Sequence, residues 1–318
     1  CRRGTRRPQN GIKTIDRLTI LYTKLFFLSS IPMRHISLLL LLLLTLCLSA
    51  CKGGKAPSDK PILTVSIEPL RWVVSSIAGN DYDVQTLMPQ GASPETYEPT
   101  PRQMIDLSQS EILFCVGTMP FEQTRLRQMA ESAPELQLVE LREGITTIAE
   151  DGHRHGGETE SIDPHLWMST KNLSIMAQQV ARVLSAHNPA HRADYEKRLS
   201  VMEQRLNTLD SELRAQLLKA RSRSFLIYHP ALGYMAREYG LIQLAVEHDG
   251  KDPSAASLQQ LINTCKHDSV SVAFISKEHN GQAARRIAGE VGAHVVEINP
   301  LAYDVTKQMR QIAQSLTQ

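Results

Sequence analysis

Between positions 189 and 220, Tyr195, Leu199, Met202, Leu206, Leu209, Leu213 and Leu217 follow one another at intervals of 4, 3, 4, 3, 4 and 4. That spacing places all seven on one face of an α-helix. Asn188-Pro189 precede it with a cap and a proline suited to a first helical turn. At ~1.5 Å per residue the helix runs to about 45 Å, longer than a small domain needs. A coiled coil would show a similar stripe. The alternation on either side favours one helix spanning two lobes.

Before the stripe, apolar runs at 62–67, 82–88, 112–116 and 136–141 read as strands. Helices are expected between them, one from about Pro69 and one from Pro101, where Thr100-Pro101-Arg102-Gln103 reads as a capping box with proline at the first helical position. Ser169 caps a further helix, expected from about Thr170 to His187. After the stripe the alternation restarts, with strands at 225–228, 241–246, 270–275 and 294–298 and helices from Pro230 and at about 253–266, 282–291 and 306–316. Strand–helix alternation of this kind predicts parallel sheets covered on both faces. The expected fold is α/β, with two lobes, each a mostly parallel four-stranded sheet flanked by helices, joined by one long spanning helix. The lobes are expected at 62–187 and 222–318, with the linking helix at 188–221.

The first 61 residues read differently. The chain begins at Cys1 rather than Met, and residues 1–32 are read as an upstream segment that is not native to the protein. Met33-Arg34-His35 and the apolar run to Leu48, which contains seven consecutive leucines, form a signal peptide at 33–50. The run is shorter than the ~20 residues of a transmembrane helix, and Lys24 and Pro32 interrupt a longer anchor starting at Leu18. Leu48-Ser49-Ala50-Cys51 resembles the lipobox of bacterial lipoproteins, which implies lipidation of Cys51, a lipid-anchored tether at 51–61 and a place in the cell envelope on the extracytoplasmic face. Residues 1–50 carry eight of the 35 Lys and Arg but one of the 33 Asp and Glu, so the formal +2 of the whole chain becomes −5 from Cys51 onward. That balance gives no basis for nucleic-acid binding. Cys115 and Cys265 fall in different halves, and no disulfide is expected.

In open α/β sheets, ligands bind beyond the carboxyl ends of the strands. Three metal-ligating side chains fall there, each beside a proline: Glu95 after Pro94, His165 after Pro164, and His229 before Pro230. Proline stiffens each turn and limits the freedom its neighbour loses on binding an ion. Two imidazoles and a carboxylate suit a borderline divalent ion such as zinc. An N-terminal cap at Glu95 with two packed histidines explains the same residues equally well.

Three segments bear on that choice: Gly91-Ala92-Ser93-Pro94-Glu95-Thr96-Tyr97-Glu98-Pro99, Asp163-Pro164-His165-Leu166-Trp167, and Tyr228-His229-Pro230-Ala231-Leu232-Gly233-Tyr234. Together with Asp252-Pro253-Ser254-Ala255 and Asn299-Pro300-Leu301, they resemble the metal-site segments of zinc/manganese substrate-binding proteins of ABC importers, from Ile62 to the C-terminus. The resemblance implies a monomeric receptor, not an enzyme, that captures Zn²⁺ between its lobes and delivers it to an ABC permease. The implied ligands are Glu95, His165 and His229, with Asn299, Glu278 or water in the fourth position. Glu95 stands where that family usually has His, and Asn299 where many members have Asp. Neutral Asn299 and imidazole at position 229 favour Zn²⁺ over Mn²⁺. His153 and His155 lie in a polar loop where zinc-binding members often carry more histidines, while His248 and His294 are read as structural. The alternatives are a Mn²⁺ or Fe²⁺ receptor of the same family, a surface adhesin stabilised by metal, and a zinc hydrolase. No His-Glu-x-x-His helix is present to support the last.

Overall fold

The computed structural model describes residues 60–149, 162–247, 253–279 and 281–318. The leader, Cys51, the loop with His153 and His155, His248 and Asp252 lie outside the described residues.

Among the described residues, eight short strands form two four-stranded sheets. The first contains β1 (Ile62–Val65), β2 (Asp83–Thr86), β3 (Ile112–Cys115) and β4 (Gln137–Glu140) in the order β2-β1-β3-β4. The second contains β5 (Ser224–Ile227), β6 (Ile242–Ala245), β7 (Val272–Ser276) and β8 (His294–Ile298) in the equivalent order β6-β5-β7-β8. Every strand pair is parallel. Strand chemistry follows position. Central β3 (Ile-Leu-Phe-Cys) and β5 (Ser-Phe-Leu-Ile) are buried throughout, whereas edge strands β2 (Asp-Val-Gln-Thr) and β8 (His-Val-Val-Glu-Ile) carry the polar residues. A strand covered on both faces has no solvent side on which to place a charge.

The helices are α1 (Glu68–Ala78), α2 (Pro101–Leu107), α3 (Arg127–Ser132), α4 (Thr170–His187), α5 (Arg192–Leu217), α6 (Gly233–Tyr239), α7 (Ala255–His267), α8 (Gln282–Val291) and α9 (Val305–Ser315). The capping box at Thr100 and Gln103 forms with both of its hydrogen bonds. Ser169 caps α4 by accepting the Asn172 N–H. The apolar stripe lies on α5, which spans about 39 Å at ~1.5 Å per residue and follows a short 3₁₀ turn, Pro189–His191. Six stripe residues are buried and Leu199 is half-buried. This face packs on α1 and α4 from the first lobe and on α6 and α9 from the second.

Alternation along the second sheet shows how the core divides. Phe225, Ile227, Val272 and Phe274 face the large cluster that also contains the α5 stripe and the first lobe's core. Leu226, Tyr228, Ala273 and Ile275 face a smaller cluster under α7 and α8. Cys115 and Cys265 are free, buried and in different clusters. Among the described residues no helix is long and apolar enough to cross a membrane.

Candidate metal centre

Both sheets reverse strand order beside their first strand, between β1 and β3 and between β5 and β7. Such a switch point opens a crevice at the carboxyl ends of its strands. His229 lies two residues beyond β5, and His279 three residues beyond β7. The second lobe thus presents two imidazoles from either side of its switch point. Their rings stack, with centroids 4.3 Å apart and planes 6° from parallel.

The first lobe supplies the other two groups. Glu95 sits in the loop after β2, which Tyr97 Oη and Gln103 Nε2 tie down by donating to the Leu87 carbonyl at 3.2 and 2.8 Å. Tyr97 also meets Phe121 edge to face at 5.0 Å. His165 is buried in the turn ahead of α4. Asp163 Oδ1 accepts the His165 backbone N–H and meets its Nδ1, each at 2.9 Å. Trp167, fully buried, lies 5.2 Å from the His165 ring and donates its Nε1–H to the Pro300 carbonyl of the second lobe at 2.8 Å.

These four side chains converge. Glu95 Oε1 is 2.9 Å from His229 Nε2, Glu95 Oε2 is 4.0 Å from His279 Nε2, and His229 Nε2 is 3.4 Å from His165 Nε2. The ligand atoms of Glu95, His229 and His279 lie within 4.8 Å of one another. Each histidine turns its Nδ1 outward: toward Asp163 for His165, toward Ser276 Oγ at 3.0 Å for His279, and toward Glu247 Oε1 at 3.5 Å for His229. The Nε2 atoms of His229 and His279 are left toward the Glu95 carboxylate, and His165 Nε2 is left toward His229 Nε2. Imidazole nitrogen and carboxylate oxygen are donor types that a four-coordinate zinc site uses.

The electrostatics are those of a site built for a cation. Burial works to lower the His229 pKa, but the carboxylates of Glu247 and Glu95 outweigh it and hold it at about 9. Burial works to raise the Glu95 pKa, but His229 and His279 outweigh it and hold the carboxyl well below the usual range. A divalent ion bound through His229 Nε2 would have to displace any proton held there.

Glu95, His165 and His229, which the residues alone left open between a cap with packed histidines and a ligand set, lie close together in the fold. Asn299 and Glu278 stand apart from this group. Asn299 Oδ1 accepts the Leu301 N–H at 3.0 Å within its own turn, and both residues line a second cleft of about 220 Å³ with Glu68, Gln90 and Tyr303. His294 is exposed at the start of edge strand β8. His279 and Glu247 are not foreseen from sequence. A signal for His279 exists, since it follows a strand end one residue after Glu278. For Glu247 the signal is the pairing of β5 with β6, which no motif records.

The chain is similar to the zinc-binding lipoprotein AdcA of Streptococcus pneumoniae (strain ATCC BAA-255 / R6), at 26% identity over 283 residues covering 85% of this chain and 56% of that protein. It therefore spans little more than half the length of that relative. It is also similar to the high-affinity zinc uptake system protein ZnuA of Bacillus subtilis (strain 168), at 28% identity over 277 residues covering 82% of this chain and 85% of that one. A solved crystal structure of ZnuA matches with a TM-score of 0.75 and 32% identity over 81% of this chain and 98% of that chain. The family model for the periplasmic component A of zinc-uptake complexes matches residues 63–318. With its fold and most of its length so matched, the chain belongs to the ZnuA family of periplasmic zinc-uptake components.

Proposed function

We propose that this protein captures Zn²⁺ between its two lobes with Glu95, His165, His229 and His279, and delivers it to the permease of an ABC importer. The observation that carries this reading is the convergence of three outward-clamped imidazoles and one carboxylate, with His229 and His279 Nε2 toward Glu95 and His165 Nε2 toward His229 Nε2. A set dominated by imidazole suits zinc better than manganese, which prefers carboxylate and water oxygens. Side-chain exposure falls from 33% at Glu95 through 16% at His279 to 9% at His229 and 7% at His165. An ion entering the cleft therefore meets the Glu95 carboxylate first and the two deep imidazoles last. Release reverses the order, once the permease draws the lobes and their ligands apart. The same proposal takes 62–187 and 222–318 as the lobes around a link at 188–221, with Cys51 carrying lipid and a monomer held at the outer face of a membrane. The role is that of a receptor, and it requires no bond-making chemistry on a substrate.

Competitive titration of the purified protein with Zn²⁺ and Mn²⁺ tests the reading. One tight, exchangeable zinc is expected, with Mn²⁺ much weaker. Glu95→Ala and His279→Ala should each weaken zinc by more than the ~10–100-fold carried by residues that only orient a ligand. Tight manganese binding in preference to zinc, or zinc binding untouched by both substitutions, would overturn it.

A further inference from the structure

Of the three imidazoles in the cleft, two have a hydrogen-bonded partner on the side away from the ion. His165 Nδ1 has Asp163 at 2.9 Å, and His279 Nδ1 has Ser276 Oγ at 3.0 Å. His229 differs. Its Nδ1 is buried and has no hydrogen-bond partner among the described residues, and the nearest acceptor, Glu247 Oε1, stops at 3.5 Å.

Glu247 is as unusual as the atom it faces. Its side chain is 7% exposed, and its 3.5 Å approach to His229 is the ion pair its carboxylate makes among the described residues. Among the described residues no donor lies within hydrogen-bond distance of this carboxylate, and a buried carboxylate so placed is costly to keep. Sheet register explains how it arrives there. Ile227 on β5 lies beside Ala245 on β6, and two residues further along each strand come His229 and Glu247. The Glu247 backbone N–H donates to the Tyr228 carbonyl at 2.9 Å, which carries the pairing past the strand ends and holds the two loops together. Parallel pairing thus delivers a carboxylate to the outer edge of His229, as chain neighbours deliver Asp163 to His165 and Ser276 to His279. His229 and Glu247 both line a cavity of about 420 Å³, together with Asp163, Ala236, Leu241 and Ala245.

We infer that Glu247 is the positioning residue for His229: it takes the Nδ1–H as the ion loads, fixing the tautomer and ring orientation that aim Nε2 at the metal. The inference rests on the zinc-receptor reading and adds a residue to it. Carboxylates that accept the far N–H of a ligating histidine raise its basicity and commonly carry ~10–100-fold in metal affinity. Glu247 belongs to that class, since it faces His229 Nδ1 rather than the Nε2 atom turned toward Glu95.

The test compares wild type, Glu247→Ala and the near-isosteric Glu247→Gln. Zinc affinity is read by competition, the absorption of bound Co²⁺ reports coordination, and thermal melting of each metal-free protein reports the fold. Glu247→Ala is expected to weaken zinc about 10–100-fold and to change the Co²⁺ spectrum, while the metal-free protein still melts in a single cooperative step. Glu247→Gln, whose amide oxygen can still accept the Nδ1–H, should recover part of the affinity and the wild-type Co²⁺ spectrum. Zinc affinity in Glu247→Ala within twofold of wild type, or an unchanged Co²⁺ spectrum, would overturn the inference. Failure of the wild type itself to bind either ion would instead overturn the receptor reading, which keeps the two claims separable.

Discussion

At His229 one imidazole faces two carboxylates, Glu95 at 2.9 Å and Glu247 at 3.5 Å, and holds its proton up to a pKa of about 9. Two consequences can be measured. Near pH 7 the imidazole is charged until zinc displaces its proton, so binding should release about one proton. Calorimetry in buffers of different ionisation enthalpy should show that release, and zinc affinity should rise with pH until about 9. The second concerns the metal-free fold. A raised histidine pKa stabilises fully below the ordinary 6.5 and loses that contribution as pH climbs through about 9. The lowered Glu95 pKa stabilises above the ordinary 4.5 and loses its contribution as pH falls toward the folded value. Metal-free melting temperature should therefore be highest between about pH 4.5 and 6.5 and decline on the alkaline side through pH 9. A melting temperature still rising from pH 7 to 9 would contradict the assignment. Glu95 and the two proline-flanked histidines were legible as candidates in stiff turns, and a family resemblance rather than the turns themselves set them apart from packed structural residues. His279 was hidden by the adjacent Glu278, and its stacked ring and its approach to Glu95 single it out in the fold.

Among the elements, those set by local chemistry were the most legible. The Ser169 cap, the Thr100–Gln103 capping box and the α5 stripe all depend on residues within a turn or two of one another. The π-helical turn Glu122–Leu126 was not legible. There the Glu122 carboxylate, buried in the first lobe, accepts the N–H groups of Val116, Gly117, Thr118 and Met119 at 2.7–3.2 Å. That arrangement satisfies a buried loop through one side chain and leaves no periodic trace in sequence. The stripe yields its own prediction. Leu209 on α5 is 1% exposed at the core shared by both lobes. Leu209→Ala should cost about 2–5 kcal/mol and lower the melting temperature by roughly 5–15 °C for a unit of this size. The transition should remain single, because the residue supports both lobes. Two separated melting steps would show instead that the lobes unfold independently.

At the scale of the whole molecule, residues 59–318 form one compact unit, and the cleft floor explains why. Trp167 bonds to Pro300; Tyr234 Oη donates to the Asp163 carbonyl at 2.9 Å; Ser169 and Thr170 donate to Glu238 at 2.6 and 2.9 Å. Each bond crosses between lobes within a few residues of His165 or its helix. With α5 bridging behind them, the lobes have little room to swing as rigid bodies, and zinc capture should leave the radius of gyration in X-ray scattering unchanged within error. Trp167→Phe removes the donor to Pro300 and part of a fully buried ring. It should destabilise the protein by about 2–4 kcal/mol and weaken zinc binding less than His165→Ala does. Zinc loss equal to that of His165→Ala would mean that the cross-lobe bond, rather than the imidazole's own turn, sets the site.

The sequence by itself determined the class of the fold, the spanning helix and the helix caps, while Glu95, His165 and His229 stood out as ligand candidates through a family resemblance. The fold features follow from hydrophobic period, proline stiffness and capping chemistry, which act between near neighbours along the chain. Tertiary structure decided which strand ends face one another, and with them the last members of the site. His279 meets His229 because β7 pairs with β5, and Glu247 meets it because β6 pairs with β5 on the other side. Asn299 is committed to its own turn by the Leu301 N–H. Strand order depends on how two half-buried surfaces pack, summed over the whole core, and no local pattern encodes that sum.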